Sequence, residues 1–228
     1  MGNYDECDFT ITTAYSDDPR HCRLPMVYVQ YLAYWKNYWE GYWRNRDGGP
    51  GLFKPADYNP EKILRSKTKF CNFVYSNARC PERISFLQKL SRYKRVDSGG
   101  TVLNNIGHRV LHKVRFLEDY KFTIAFENSV APGYVSEKIF EPMVVNSVPV
   151  YWGNPRIADD FNSKSFLDVT GLSVDGAVER VVALDRNDDS YLDLLSEPWF
   201  TDNRPNKYCQ PDYLRPFFDV VLSRRGIL

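Results

Sequence analysis

Lys121-Phe-Thr-Ile-Ala-Phe-Glu-Asn-Ser-Val-Ala-Pro-Gly-Tyr-Val-Ser-Glu-Lys-Ile-Phe-Glu-Pro-Met-Val-Val-Asn-Ser-Val-Pro-Val-Tyr-Trp-Gly-Asn-Pro155 decides how this chain folds. Phe122 to Phe126 is an apolar run too short for a helix, so it reads as a buried strand that ends in the polar Glu127, Asn128 and Ser129. Pro132 and Gly133 break the chain, and Ser136 stands where a helix cap belongs. Ile139, Phe140, Met143 and Val144 then recur at helical spacing. Val148 to Trp152 is a second apolar strand, closed by Gly153-Asn154-Pro155. Strand, helix and strand make a βαβ unit, with a right-handed crossover expected.

In open α/β sheets ligands sit beyond the carboxyl ends of the strands, where a helix N-terminus offers unpaired N–H groups to an anion. Tyr134, Glu137 and Lys138 occupy that place. A lysine supplies charge for a phosphate, whereas a neighbouring carboxylate suits sugar hydroxyls. The pair therefore points to a nucleotide sugar. The residues alone leave a second reading open, in which Glu137 and Lys138 are first-turn residues in solvent.

Upstream, Lys69 to Ser76 reads as a strand, Asn77 to Pro81 as a turn, and Glu82 to Tyr93 as a helix with Ile84, Leu87 and Leu90 facing inward. Arg83 falls in the first turn of that helix, near a strand's carboxyl end, where a guanidinium fork can hold a diphosphate. The alternative is a surface arginine beside Glu82. Val96-Asp-Ser-Gly-Gly100 marks another strand end, but its glycines do not form a Gly-x-Gly-x-x-Gly phosphate loop. His108 and His112 stand four apart and are read as surface histidines that could share a helix face, with no third ligand close by. Val110, Val114 and Leu117 are expected to pack below them. Downstream, a strand is expected at Ser165 to Val169 and helices at Gly176 to Leu184, Tyr191 to Leu195 and Asp212 to Arg225, the last interrupted by Pro216.

With 228 residues, 43% of them apolar, the chain can bury a real core. Thirty basic against 29 acidic residues leave no electrostatic footprint for nucleic acid or an anionic membrane. The apolar runs are strand-length and the N-terminus lacks a signal-peptide pattern. Five cysteines, Cys7, Cys22, Cys71, Cys80 and Cys209, include no Cys-x-x-Cys pair and read as free thiols, with a Cys7–Cys22 bridge left open. No Asp-x-Asp metal motif is present, and Asp185-Arg-Asn-Asp-Asp189 reads as a turn. Phe9 to Thr13 is a candidate strand. From Val27 to Trp43, Tyr31, Trp35 and Trp39, and likewise Tyr34, Tyr38 and Tyr42, recur every four residues. Two aromatic stripes on one helix follow, read as packing, with a sugar platform as the alternative. An exposed second stripe would favour a homo-oligomer or a partner that covers it.

Phe126-Glu-Asn-Ser129, Gly133-Tyr-Val-Ser-Glu-Lys138 and Val148-Pro-Val-Tyr-Trp-Gly-Asn-Pro155, in that order and spacing, resemble the signature of the α-1,3/4-fucosyltransferases, glycosyltransferase family 10, and more the bacterial than the animal members. The resemblance covers roughly residues 68 to 169. It implies an α/β fold, the Rossmann-like parallel sheet of the donor-binding, C-terminal half of a GT-B enzyme. Residues 1–67 are then expected to be a remnant of the N-terminal domain with an aromatic-rich linker, and 68–228 the GDP-fucose-binding domain. It also implies inverting transfer of fucose from GDP-fucose, with no cofactor required, to the O3 of an N-acetylglucosamine unit in an N-acetyllactosamine-type glycan.

By that resemblance Asn128, Tyr134, Glu137 and Lys138 bind GDP-fucose, Arg83 and Lys138 meet the phosphates, and Glu137 meets the fucose and stabilises developing oxocarbenium charge. The number of residues between Arg83 and the Gly-Tyr-x-x-Glu-Lys motif matches the family as well. The family's general base, a glutamate of the acceptor domain, has no matching position here. Two readings follow: a fucosyltransferase that takes its base from elsewhere, or a donor-binding module without transfer. A related GT-B enzyme using another nucleotide sugar is a third. The compartment expected is the cytoplasm for a bacterial chain and the Golgi for a eukaryotic one.

Overall fold

The computed structural model describes residues 7–30, 53–204, 206–209 and 211–224. A five-stranded, fully parallel sheet runs in the order β4-β3-β5-β6-β7, with β3 at Lys69–Phe73, β4 at Val96–Ser98, β5 at Tyr120–Phe126, β6 at Val148–Trp152 and β7 at Leu167–Asp168. All seven residues of the central strand β5 are buried. A continuous apolar strand of this kind must be covered on both faces.

Helices supply the cover. They are α1 (Met26–Gln30), α2 (Pro60–Ser66), α3 (Pro81–Leu90), α4 (Lys113–Leu117), α5 (Glu137–Val144), α6 (Val174–Asp185), α7 (Asp188–Ser196) and α8 (Pro211–Arg224). The main helix packing joins α3 to α6, α6 to α7 and α2 to α7, and separately joins α5 to α1 and α4. Helix α3 starts with Pro81 at its first turn, where the missing N–H costs nothing, and buries Phe86, Leu87 and Leu90. Ile84 is only partly buried against the core. Helix α5 buries Ile139, Phe140, Met143 and Val144, as their spacing requires. In α8 the helix continues across Pro216.

The β5–α5–β6 unit follows the expected strand–helix–strand order. Its register pairs Phe122 with Val148 and Phe126 with Trp152, so Glu127 and Gly153 emerge side by side past the carboxyl ends. A bond from Glu127 N to the Trp152 carbonyl, 2.8 Å, extends the pairing by one residue.

Residues 7–30 lie against this framework. Strands β1 (Thr10–Thr12) and β2 (His21–Arg23) form a small parallel pair. Arg23 forms a buried fork with Asp160, and the Tyr28 hydroxyl donates to the Asp160 carbonyl at 3.0 Å. Only the first residues of the expected aromatic helix, in α1, fall within the described residues; its stripes from Tyr31 to Trp43 lie outside them.

Two local expectations change. His108 and His112 share no helix face, because His108 lies in a loop and His112 stands at the start of α4. Val114 and Leu117 are buried as expected, while Val110 is half-buried. Cys7 and Cys22 are both free thiols, as are Cys71 and Cys80. No helix among the described residues is long and apolar enough to cross a membrane.

Candidate functional site

Glu127, the first residue past β5, organises the site. Its side chain is fully buried. Oε1 accepts from the Ser136 backbone N–H at 2.8 Å, and Oε2 accepts from the Ser136 hydroxyl at 2.7 Å and from Lys138 Nζ at 3.2 Å. Ser136 is therefore the N-cap of α5 by position only, since its hydroxyl makes no capping bond and turns to Glu127 instead. A carboxylate of the protein itself has taken the anion's place at this helix start.

The backbone carbonyl of Glu127 holds Arg83. One Nη2 donates to that carbonyl at 2.6 Å and to Asn128 Oδ1 at 2.8 Å, while Nη1 reaches the Asn77 carbonyl at 3.3 Å. The guanidinium also stacks 4.0 Å above the Tyr75 ring. Arg83 is wholly buried, which removes the surface-arginine alternative, and its Nε has no hydrogen-bond partner. Buried donors of this kind are rare in folded proteins.

The other expected residues gather around the same point. Asn128 is exposed and donates from Nδ2 to the Tyr134 hydroxyl at 3.4 Å. Lys138 Nζ donates to the Ser136 hydroxyl at 2.9 Å and pairs with Glu137 Oε1 at 3.6 Å. Burial alone would raise the Glu137 pKa, but Lys138 and Lys113 nearby outweigh it and hold the carboxyl below its ordinary value. For Lys138, burial works against the charge, and the carboxylates of Glu127 and Glu137 win and raise its pKa. Both groups are ionised near neutrality.

Two glycines let these parts approach. A Cβ on Gly153 would stand 2.6 Å from Cγ of Glu127, so only glycine leaves room for the organising carboxylate. Gly133 has φ +85°, and a Cβ there would fall 2.2 Å from the Thr13 carbonyl. Its N–H donates to Asn154 Oδ1 at 2.9 Å, and Asn154 Nδ2 reaches Asp160 Oδ2 at 3.5 Å. The loop carrying Tyr134 is thus tied to residues 7–30 through Asp160 and Arg23.

Arg83, Asn128, Tyr134, Glu137 and Lys138, read from the sequence as one set, are brought together by a residue that the sequence marked only as a strand's polar end. The signal was the position of Glu127 between an apolar strand and a Ser-Glu-Lys helix start. Among the described residues no group of three or more His, Cys, Asp or Glu is placed to hold a metal ion.

Residues 64–210 match the sequence model of glycosyltransferase family 10 (fucosyltransferase), C-terminal. An alpha-(1,3)-fucosyltransferase of Helicobacter pylori is 40% identical over 209 residues, which span 85% of this chain and 42% of that protein. A GDP-fucose protein O-fucosyltransferase 3 of Xenopus laevis is 31% identical over 164 residues, 64% of this chain and 35% of that one. The chain thus spans less than half the length of these curated relatives. Crystal structures of an alpha1,3-fucosyltransferase, without stated ligand and with GDP-fucose, match it with TM-scores of 0.78 and 0.76 at 28% identity. They cover 98% and 97% of this chain, and 69% and 72% of their own. The α/β parallel sheet expected from the sequence is therefore that of the GT-B fucosyltransferases, of which this chain covers part.

Proposed function

This chain belongs to glycosyltransferase family 10, and from that premise we propose that it is the donor-binding part of an α-1,3-fucosyltransferase that transfers fucose from GDP-fucose with inversion. The observation that carries the proposal is the convergence of two buried or nearly buried cations, Arg83 and Lys138, and one partly open carboxylate, Glu137, at the carboxyl ends of β5 and β6. Arg83 and Lys138 take the diphosphate, and their charge stabilises GDP as it leaves, without a metal ion. Asn128 and Tyr134 line the same mouth and bind the donor. Glu137 faces the fucose and stabilises positive charge that develops at C1.

The acceptor is the O3 hydroxyl of an N-acetylglucosamine unit in an N-acetyllactosamine-type glycan. It attacks C1 from the side opposite GDP, and a carboxylate takes its proton. Glu127 is unsuited to that task, because it is fully buried and already accepts from three donors. This favours a second reading, in which the described residues form a catalytically incomplete module that binds GDP-fucose without transferring it.

Incubation of the purified chain with GDP-fucose and N-acetyllactosamine, read by mass spectrometry, separates the two. Trisaccharide that disappears in Glu137→Ala supports the enzyme. GDP-fucose binding by calorimetry without product supports the binding module. Absence of GDP-fucose binding overturns both, and competition by GDP-mannose or a UDP-sugar would redirect the donor assignment.

A further inference from the structure

We propose that Glu127 is a positioning residue that divides Lys138 between two carboxylates, so that Lys138 stays aimed at the diphosphate and Glu137 keeps a face open for the sugar. This rests on the donor-binding reading above.

Lys138 Nζ has an oxygen of Glu127 at 3.2 Å and one of Glu137 at 3.6 Å, with the Ser136 hydroxyl at 2.9 Å. Glu127 cannot leave: its carboxylate is fully buried, pinned by the Ser136 N–H and hydroxyl, and overlain by Gly153. Glu137 is different, with about 30% of its side chain exposed. The immovable carboxylate therefore fixes the ammonium, and the movable one is left to ligand. Without Glu127, the shortest path for Lys138 is a direct pair with Glu137, which withdraws both from the donor. The same residue also holds Arg83 through its carbonyl, so both cations take their position from a single point in the chain.

The groups facing Lys138 are Glu127 from the end of β5, Tyr134 and Ser136 from the loop, and Glu137 from α5. Burial opposes its charge, and Glu127 is the larger of the two carboxylate influences that restore it. Loss of the Glu127 charge therefore lowers the pH at which Lys138 becomes neutral.

The test is a double-mutant cycle on GDP binding by the full chain, followed by calorimetry from pH 6.5 to 9.5. Glu127→Gln is expected to weaken GDP about tenfold at neutral pH, roughly the loss of one charge-assisted bond, with a steeper loss toward pH 9.5 than wild type shows. Lys138→Met is expected to weaken GDP comparably, and the double variant is expected to bind no worse than Lys138→Met and to lose the added pH dependence of Glu127→Gln. Effects of the two substitutions that simply add, or a wild-type pH profile in Glu127→Gln, overturn the inference. Should Glu127→Gln not fold, Ser136→Ala is read in the same cycle: it removes the hydroxyl that bridges Glu127 and Lys138, and about a threefold loss confined to the Lys138 background is expected, about half the effect of a full neutral hydrogen bond. Wild-type protein that fails to bind GDP at all overturns the donor reading instead.

Discussion

Arg23 and Asp160, 137 residues apart in the chain, form a two-pronged ion pair inside the protein, with Nη1–Oδ1 at 3.0 Å and Nη2–Oδ2 at 2.8 Å. Their side chains are 6% and 0% exposed, so neither charge has water to fall back on. Breaking such a pair from one side leaves an uncompensated buried charge. Arg23→Leu is expected to cost about 3–5 kcal/mol in urea unfolding, and Arg23→Leu combined with Asp160→Leu is expected to cost less than the single change. A double variant less stable than the single one would contradict this account.

Gly133→Ala tests the link between residues 7–30 and the site. The new methyl must displace the Thr13 carbonyl, and the positive φ is itself unfavourable for alanine. A loss of at least about 1–3 kcal/mol is expected from the backbone strain alone. Weaker GDP binding should accompany it, because Tyr134 follows directly. Thermal unfolding and calorimetry on one sample report both effects.

Arg83→Lys is not a conservative change here. A lysine cannot reproduce the contacts to the Glu127 carbonyl, the Asn128 side chain and the Tyr75 ring together. It is expected to lower stability by about 1–3 kcal/mol and to weaken GDP at least about tenfold. A lysine variant with wild-type GDP affinity would remove Arg83 from the proposed phosphate site.

Glu137→Gln keeps the shape of the carboxylate and removes its charge. Donor transfer is expected to fall about a hundredfold or more, as for loss of one electrostatic stabiliser of a developing charge, while GDP affinity changes by no more than about threefold. Single-turnover fucose transfer and GDP calorimetry are the paired measurements. Equal losses in both would assign Glu137 to nucleotide binding rather than to the sugar.

Lys54 and Lys67 predict a pH dependence of stability. Lys54 Nζ donates to the Leu195 and Glu197 carbonyls over the Trp199 ring, and Lys67 Nζ donates to the Glu118 and Val145 carbonyls, each at 2.7 Å for Lys67. Burial pushes both down to about 7 from an ordinary 10.5, against the pull of Glu197 on Lys54 and of Glu118 and Asp119 on Lys67. Between those values the unfolded chain binds more protons than the folded one, so stability rises with pH. Below about 7 both states are protonated and the folded state bears the full burial cost. The urea midpoint is expected to climb from pH 7 to about 8, below the range in which the thiols of Cys22, Cys71 and Cys80, raised by burial, pull stability down, with a smaller slope in Lys67→Met. A Lys67→Met slope equal to that of the wild type would show that Lys67 keeps its charge in the folded state.

The strand at Tyr120–Phe126, helix α5 and the strand at Val148–Trp152 were legible from the sequence, because an apolar run and a helical repeat are local patterns that need no partner to be read. So was the family, whose signature is a run of residue types at fixed spacing. Glu137 and Lys138 open helix α5, Asn128 and Tyr134 stand in the loop before it and Arg83 lies in the first turn of α3, and the family signature is what named the five as a set. What the sequence by itself did not determine is how they are held: Arg83 could be a surface residue or a buried one, and Ser136 looked like a helix cap. Only the tertiary structure decided that Glu127 fills the helix start, that Arg83 is enclosed over Tyr75, and that Arg23 meets Asp160. Each of these depends on which strand lies beside which, and on the register that places Glu127 next to Gly153. Pairing of this kind brings together residues far apart in the chain, and the energy of a buried charge is set by the groups it meets there rather than by its neighbours in sequence.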